Sequence, residues 1–385
     1  MLSRKHFIVY GAILIDPLII QSYNPLVSVF KSAFNVNVEL IALSLTFHML
    51  PLAIFSLFSG TLSDLYYRPK ILLYGLLISA LGSFLAVVSP TIHVFLLSRC
   101  IQGVGSALIM PIAYALIGDI TAKDAIGKAM GVSGVFMSVV GVTLGPLVSG
   151  FLAGIEWRLM PLIISIYTLI LGILSKMILK GIVITKKEGS VKQVFKQLTQ
   201  AARNRNILLL SLIGFISFFT YQGIMPLISD VFSLPPLSLD RGEIGIIFST
   251  IGFVGIFFSF FGGFFVDKMG GKKILIFGFI VMILPIFLLT ITNSYWIYLI
   301  SLSILGGFNK FTNTSRTTLV VEVMPDARGT ASSISNFANF LGFATAPVIM
   351  THIYSTLGIN SVYFANMFLL IVCTILAVLI RTRTE

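Results

Sequence analysis

Four charged side chains lie deep inside stretches of sequence that are otherwise strongly apolar: Asp16, Arg99, Lys310 and Arg316. Among the acidic residues, only Asp16 has this position. A carboxyl group in apolar surroundings can take up and release a proton, and a cation there can pair with it or bind an anion. The residue types therefore predict proton or ion binding within an apolar medium.

Other kinds of site chemistry have little support in the sequence. The four histidines are dispersed, and no pair of them has the spacing of metal ligands. The two cysteines lie in separate apolar runs, so they indicate neither a disulfide framework nor a thiolate metal site. A glycine-rich phosphate loop and a Ser-His-Asp signature are both missing. The sequence predicts no enzyme activity, no metal and no cofactor.

The composition explains where the four charges lie. Of the 385 residues, 57% are hydrophobic and only 10% are charged, whereas a soluble domain has about a quarter charged residues. Segments of about 20 apolar residues match the thickness of a bilayer. Twelve such spans are predicted, at 6–30, 39–62, 70–89, 92–117, 127–154, 159–179, 206–232, 243–265, 273–292, 294–322, 329–354 and 359–380. The sequence thus predicts an all-α membrane protein, with the first span a retained helix.

The basic residues predict the orientation of these spans. Most of the 26 lysines and arginines fall in the termini and in alternate loops, all on one side of the predicted membrane. This is the positive-inside pattern, and it places both termini in the cytoplasm of a cell whose plasma membrane holds the protein. The net charge of +12 is therefore topological and does not indicate nucleic-acid binding.

A polar segment at 181–205 divides the spans into two groups of six, predicted as bundles at 1–180 and 206–385. The segment is either a solvated tether or an interfacial helix near 191–202. The stretch "GTLSDLYYRPKILLYG" at 60–75 recurs as "GFFVDKMGGKKILIFG" at 263–278, with glycine, acidic and basic positions matching at one constant offset. Such agreement predicts a six-helix unit present twice.

These repeated stretches resemble a signature of the major facilitator superfamily, and in particular of its drug/proton antiporter branch. The resemblance implies a cytoplasmic latch between helices, which favours the outward-open state. Tyr67 stands where the signature has a glycine, and Pro69 where it has a basic residue, so a tight turn is not expected in the first copy. The latch residues it implies are Gly60, Asp64, Arg68, Gly263, Asp267 and Lys272.

Two further motifs follow the order of this family. "RCIQGVGSA" in span 4 contains Arg99, which the resemblance ties to proton coupling; a structural arginine bonded to backbone carbonyls is the alternative. "GVTLGPLVSG" in span 5 resembles the antiporter motif, whose glycines permit close helix contact and whose proline bends the helix. Its residues here are Gly141, Gly145, Pro146 and Gly150.

The resemblance implies a central cavity lined by spans 1, 4, 7 and 10. Asp16 is then the predicted proton site, and a role in bending the helix before Pro17 is the alternative. Lys310 is the candidate partner of Asp16, with snorkelling or packing as its alternative. His48 is expected to be a helix–helix hydrogen bonder, and titration near neutrality is its alternative role. The predicted cavity residues are Tyr23, Asn24, Gln102, Tyr221, Gln222, Asn309, Lys310, Asn313, Arg316, Asn336 and Asn339.

The leading hypothesis is a monomeric, proton-coupled secondary transporter that exports a small amphipathic or drug-like molecule in exchange for protons. Its expected partners are that molecule, protons and the lipid bilayer. Three deep cations against one deep carboxylate favour an alternative, the proton-coupled uptake of an organic anion. A non-transporting membrane receptor or a lipid-translocating protein on the same scaffold is the third reading.

Overall fold

The computed structural model describes residues 3–122, 125–182, 199, 201, 203–324 and 328–380, without the side chains at 60–65 and 328. Within these ranges the chain is helical and contains no strand. Most of the predicted polar segment at 181–205, including the possible interfacial helix, lies outside the described residues.

Each predicted span is occupied by one helix, labelled α1 to α12 in chain order. Two of them are irregular: α1 contains a 3-10 turn at Asn24–Leu26, and α5 widens to π-helix at Met137–Leu144. The bounds are Arg4–Phe34, Val38–Leu65, Arg68–Val87, Ile92–Ile120, Ile126–Ala153, Leu159–Ile178, Arg205–Ser233, Arg241–Met269, Gly271–Thr290, Tyr295–Val323, Arg328–Leu357 and Ile359–Val378.

Eleven of these helices are long and apolar enough to cross a membrane. The exception is α10, whose central turns carry Asn309, Lys310, Asn313 and Arg316. A helix this polar is stable at membrane depth only where other helices shield it from lipid. The prediction of an all-helical, multi-pass membrane protein is confirmed.

The helices run alternately between two faces of the molecule. The terminal face carries residues 3 and 380 with the turns near 66, 121 and 270, and the distal face carries the turns near 35, 88, 154, 234, 291 and 358. Residues 3–182 form the N-terminal half here, and 203–380 the C-terminal half. The domain limits predicted from the sequence stay a prediction.

The two halves meet mainly through α2 with α11 and α5 with α8. Among the described residues, every hydrogen bond or ion pair that joins the halves lies in the distal part of the molecule, as between Lys31 and Asp230 or Thr46 and the Ala344 carbonyl. An apolar cluster closes the centre just below these contacts. We call it the central plug, and it consists of Ile20, Leu45, Met49, Phe218, Phe340, Phe343 and Ala344. The distal face is therefore closed.

The terminal face lacks comparable closure in the described part of the chain. The first turns of α5, Ile126–Phe136, pack on α1 and α4 of their own half. The Asp267 carboxylate is exposed and has no hydrogen-bond partner among the described residues. Both observations are expected of a conformation that is open toward the terminal face.

The two copies of the repeated loop differ in backbone geometry. Gly270 takes a φ of 84°, a left-handed value that glycine adopts without strain, whereas Tyr67 in the first copy is extended. Arg68 follows it and binds the Asp119 carboxylate at 2.6 Å, which ties the first loop to the end of α4. The Asp64 side chain lies outside the described part of the chain, so the latch remains a prediction.

Gly103 permits the closest helix contact in the N-terminal half. A Cβ atom at this position would lie 2.1 Å from the carbonyl oxygen of His48, so α4 and α2 touch backbone to backbone there. Such a distance is far inside van der Waals contact, and the obstacle is a rigid backbone atom. The motif in span 4 thus brings two helices together at the level of His48.

We expect Gly103→Ala to lower the thermal stability of the purified protein, because the added methyl must push α2 away from α4. Overpacking of this kind costs about 1–3 kcal/mol. Gly118 on the same helix has open space around it, so Gly118→Ala is the matched control and should be neutral or slightly stabilising. Thermal unfolding in detergent measures both; equal melting temperatures for the two variants would contradict the tight crossing.

Candidate proton and substrate site

Asp16 and His48 form a buried hydrogen-bonded pair between α1 and α2. The Asp16 Oδ1 atom lies 2.9 Å from His48 Nε2. The Asp16 residue is 4% exposed and His48 is fully buried. Asp16 thus bonds to a neighbouring helix, whereas the alternative reading placed its bond within its own helix before Pro17, and the expectation that His48 joins two helices is confirmed.

Arg99 lies about one helical turn to the distal side of this pair. Its Nε donates to the Ser44 carbonyl at 3.2 Å, and its Nη1 donates to Gln102 Oε1. The guanidinium stacks over the Tyr23 ring, with Cζ 4.3 Å from the ring centre. Arg99 is 1% exposed, so this buried cation is held by one carbonyl, one amide and one aromatic face.

The Arg99 charge acts on both members of the Asp16–His48 pair. It attracts the carboxylate and opposes a second positive charge on the imidazole. Gln102 extends the same network to α3, because its Nε2 donates to Ser83 Oγ at 2.9 Å. Four helices therefore meet in one buried polar cluster, hereafter the proton cluster: Asp16, Tyr23, His48, Ser83, Arg99 and Gln102.

The C-terminal half holds its own buried cation in a different way. Arg316 is 1% exposed and donates to Ser335 Oγ and, at 2.9 Å, to Asn313 Oδ1. Asn339 of α11 lies beside Arg316, because both side chains lie against Gly214 of α7. No carboxylate pairs with Arg316 among the described residues, so neutral dipoles alone stabilise this charge.

Lys310 does not pair with Asp16, and the predicted charge pair across the halves is wrong. The Lys310 stem packs on Gly255 of α8, with Cγ 3.3 Å from the position of a Cβ there. Asp16 takes His48 as its partner instead. The Lys310 ammonium has no hydrogen-bond or ion-pair partner within the described part of the chain, so packing against α8 is the reading that the geometry supports.

The remaining predicted cavity residues fall into separate groups. Gln222 Nε2 donates to Asn24 Oδ1 at 3.3 Å and so joins α7 to α1 across the two halves. Asn309 makes a long contact of 3.4 Å with Ser217, and Asn336 is exposed beside Asn339. Tyr221 is half-buried on α7. The predicted lining is therefore not one continuous surface in this conformation.

The sequence reasoning did not identify the distal contacts. Lys31 on α1 binds Asp230 on α7 at 2.8 Å, and the Tyr354 hydroxyl of α11 donates to the other Asp230 oxygen at 3.1 Å. We call these three residues the distal lock. Lys31 and Asp230 also line a cavity of about 750 Å³ between α1, α5, α7 and α8. The sequence signal that could have predicted this ion pair is the presence of opposite charges, Lys31 and Asp230, at the corresponding ends of spans 1 and 7.

Sequence comparisons relate the chain to membrane transporters. The family model described as "Major Facilitator Superfamily" matches residues 9–239 and 210–385. The "Uncharacterized MFS-type transporter YybF" of Bacillus subtilis is 29% identical over 290 residues, which is 74% of this chain and 70% of that protein.

Two matches with more specific names are shorter. "Multidrug resistance protein 3" of Bacillus subtilis is 35% identical over 102 residues, 26% of this chain and 19% of that protein. "Multidrug resistance protein 2" of the same organism is 35% identical over 123 residues, 32% of this chain and 30% of that protein. The similarity to proteins with these names is thus local.

We expect Asp230→Asn to loosen the distal face, because it removes the carboxylate that binds Lys31 while leaving a side chain of the same size. The reporter is a cysteine in place of the buried Ser229 in a variant without Cys100 and Cys373. Its rate of labelling by a hydrophilic maleimide in purified protein should rise about tenfold, as for loss of about 1.4 kcal/mol.

Glu156→Gln is the matched control, since this acid pairs with Arg158 within one half at the same face. It should leave the labelling rate unchanged. A reporter cysteine that reacts equally fast with and without Asp230 would show that the distal lock does not hold the face closed.

Proposed function

The chain belongs to the major facilitator superfamily, and we propose that it is a proton-coupled transporter of the plasma membrane that exports a small amphipathic molecule in exchange for protons. Export proceeds by alternating access, with the two halves rocking as six-helix bundles about a central site and with both termini in the cytoplasm. The observation that carries the proposal is the buried Asp16 carboxylate with Arg99 close to it.

Antiport requires a site that a proton and the substrate occupy in alternation. Asp16 suits this role because it is the one carboxylate deep within the predicted spans. An uncompensated change of charge at this depth is costly, and Arg99 supplies the compensating cation. Substrate that enters from the cytoplasm and disturbs the Tyr23–Arg99 contact would alter the electrostatic field on Asp16 and favour proton release.

The arrangement of contacts supports an alternating mechanism. The distal lock and the central plug separate the proton cluster from the distal face, while the described contacts on the terminal face stay within each half. For a protein with cytoplasmic termini this is an inward-facing conformation. The names of the two multidrug resistance relatives support an amphipathic substrate.

Proton-coupled uptake of an organic anion is the second candidate. Lys310 and Arg316 are deep cations of the C-terminal half, and neither has a carboxylate partner among the described residues. Unpaired cations facing a cavity attract anions. The two candidates differ in the charge of the molecule and in the direction of the coupled flux.

Proteoliposomes with an imposed pH gradient test the export proposal, with the cationic dye ethidium as the amphipathic probe. We expect the wild type to drive ethidium against its gradient, and Asp16→Asn to reduce that flux at least about tenfold, because the amide cannot release a proton. Downhill ethidium exchange without a pH gradient should persist in Asp16→Asn.

Glu156→Gln, which lies outside the proton cluster, should transport like the wild type. Proton-driven ethidium flux that survives in Asp16→Asn would contradict the assignment of Asp16. Accumulation of the anionic dye fluorescein together with protons, and no flux of ethidium, would favour the second candidate.

A further inference from the structure

His48 has an environment that a purely structural hydrogen bonder does not need. One ring nitrogen, Nε2, contacts the Asp16 carboxylate, whereas the other, Nδ1, is buried and makes no hydrogen bond of normal geometry, although the backbone of Arg99 lies near the ring. A buried polar atom without a partner costs free energy. A side chain that only bridged helices would be replaced at lower cost by an amide with both ends satisfied.

Among the described residues, the charged groups that act on His48 are Asp16 and Arg99. From α1 it faces Asp16, with Tyr23 two turns further on, and from α4 it faces Arg99 with Cys100 beside it. From α11 the neighbours at this level are Phe343 and Ala344 of the central plug, which do not titrate. The imidazole is therefore poised between one carboxylate and one guanidinium.

We propose that Asp16 and His48 carry the coupled proton jointly, so that the proton site of this transporter is a carboxylate–imidazole pair. In the deprotonated pair, the Nε2–H group donates to the Asp16 carboxylate, and the net charge is −1. Proton uptake forms an N–H bond at Nδ1, and the resulting imidazolium–carboxylate pair is neutral overall. Release breaks the same bond, and no other bond changes.

A proton site shared by Asp16 and His48 also gives a reason for the close contact between α2 and α4. Gly103 lets the backbone at His48 approach α4 directly, which holds the imidazole at a fixed distance from both Asp16 and Arg99. The net charge of Asp16, His48 and Arg99 then alternates between 0 and +1. Arg99 opposes the added proton, so the pair can release it again.

The coupling role rests on the proposed function, whereas the shared titration of the pair does not. The first experiment therefore measures titration directly, by NMR of the full-length protein in detergent micelles with ¹³C-labelled histidine rings. His48→Gln identifies the His48 signal, and the exposed His93, replaced in His93→Gln, identifies a control signal.

The His48 signal should titrate within roughly pH 5–8, the range in which histidine changes charge. In Asp16→Asn its midpoint should move by about one pH unit or more, because the partner charge is gone. The His93 midpoint should stay unchanged. A His48 signal that is constant over this range, or that titrates identically without the Asp16 carboxylate, would overturn the joint proton site.

The ethidium assay supplies the second arm. Gln can donate to Asp16 as His48 does but cannot take up a proton, so His48→Gln should lower proton-driven flux about tenfold while downhill exchange persists. His93→Gln should have no effect. If Asp16→Asn abolishes coupling and His48→Gln retains it, the joint site is wrong and the proposed function stands. If Asp16→Asn also retains coupling, the proposed function fails, whatever the NMR titration shows.

Discussion

A carboxylate buried at membrane depth must have partners, and this constraint governs the packing of the N-terminal half. Removing one member of a buried charged pair costs about 3–5 kcal/mol, so Asp16 is stable only while a donor and a cation stay close. The donor comes from α2 and the cation from α4. Three helices must therefore converge within a few ångströms, and the glycine at 103 permits that approach. The buried polar cluster therefore depends on the close contact between α2 and α4.

The two halves share a fold but distribute charge differently. Leu302 occupies the repeat position that corresponds to Arg99, so the C-terminal half has no equivalent of the proton cluster. Of its two deep cations, Arg316 relies on the hydroxyl of Ser335 and the amide of Asn313, whereas Lys310 packs on α8. A half with titratable groups and a half with uncompensated positive charge suit different ligands. The predicted repeat therefore does not extend to the deep charges of the two halves.

Hydropathy predicted the twelve helices well because the cost of exposing polar backbone to lipid leaves few alternatives. The depth of Asp16, Arg99 and Lys310 also followed from counting along each helix. The partners of these side chains could not be predicted in the same way, because the depth of a residue does not determine how its helix is rotated about its own axis. Asp16 and Lys310 have similar depths, yet one faces α2 and the other faces α8. The lone histidine carried no pattern that distinguished it from an ordinary helix contact.

Helix α5 is the element that connects the proton cluster with the other half. Gly141 packs on Pro17, the residue that follows Asp16, and Gly145 packs on Ser22 of the same helix. Further along, Gly150 meets Gly245, so α5 also touches the backbone of α8. The π-helical segment Met137–Leu144 contains Gly141 and precedes Gly145 and Gly150, and π-helical turns within α-helices are frequent at functional sites. One helix therefore links α1, which carries Asp16, to the interface between the halves.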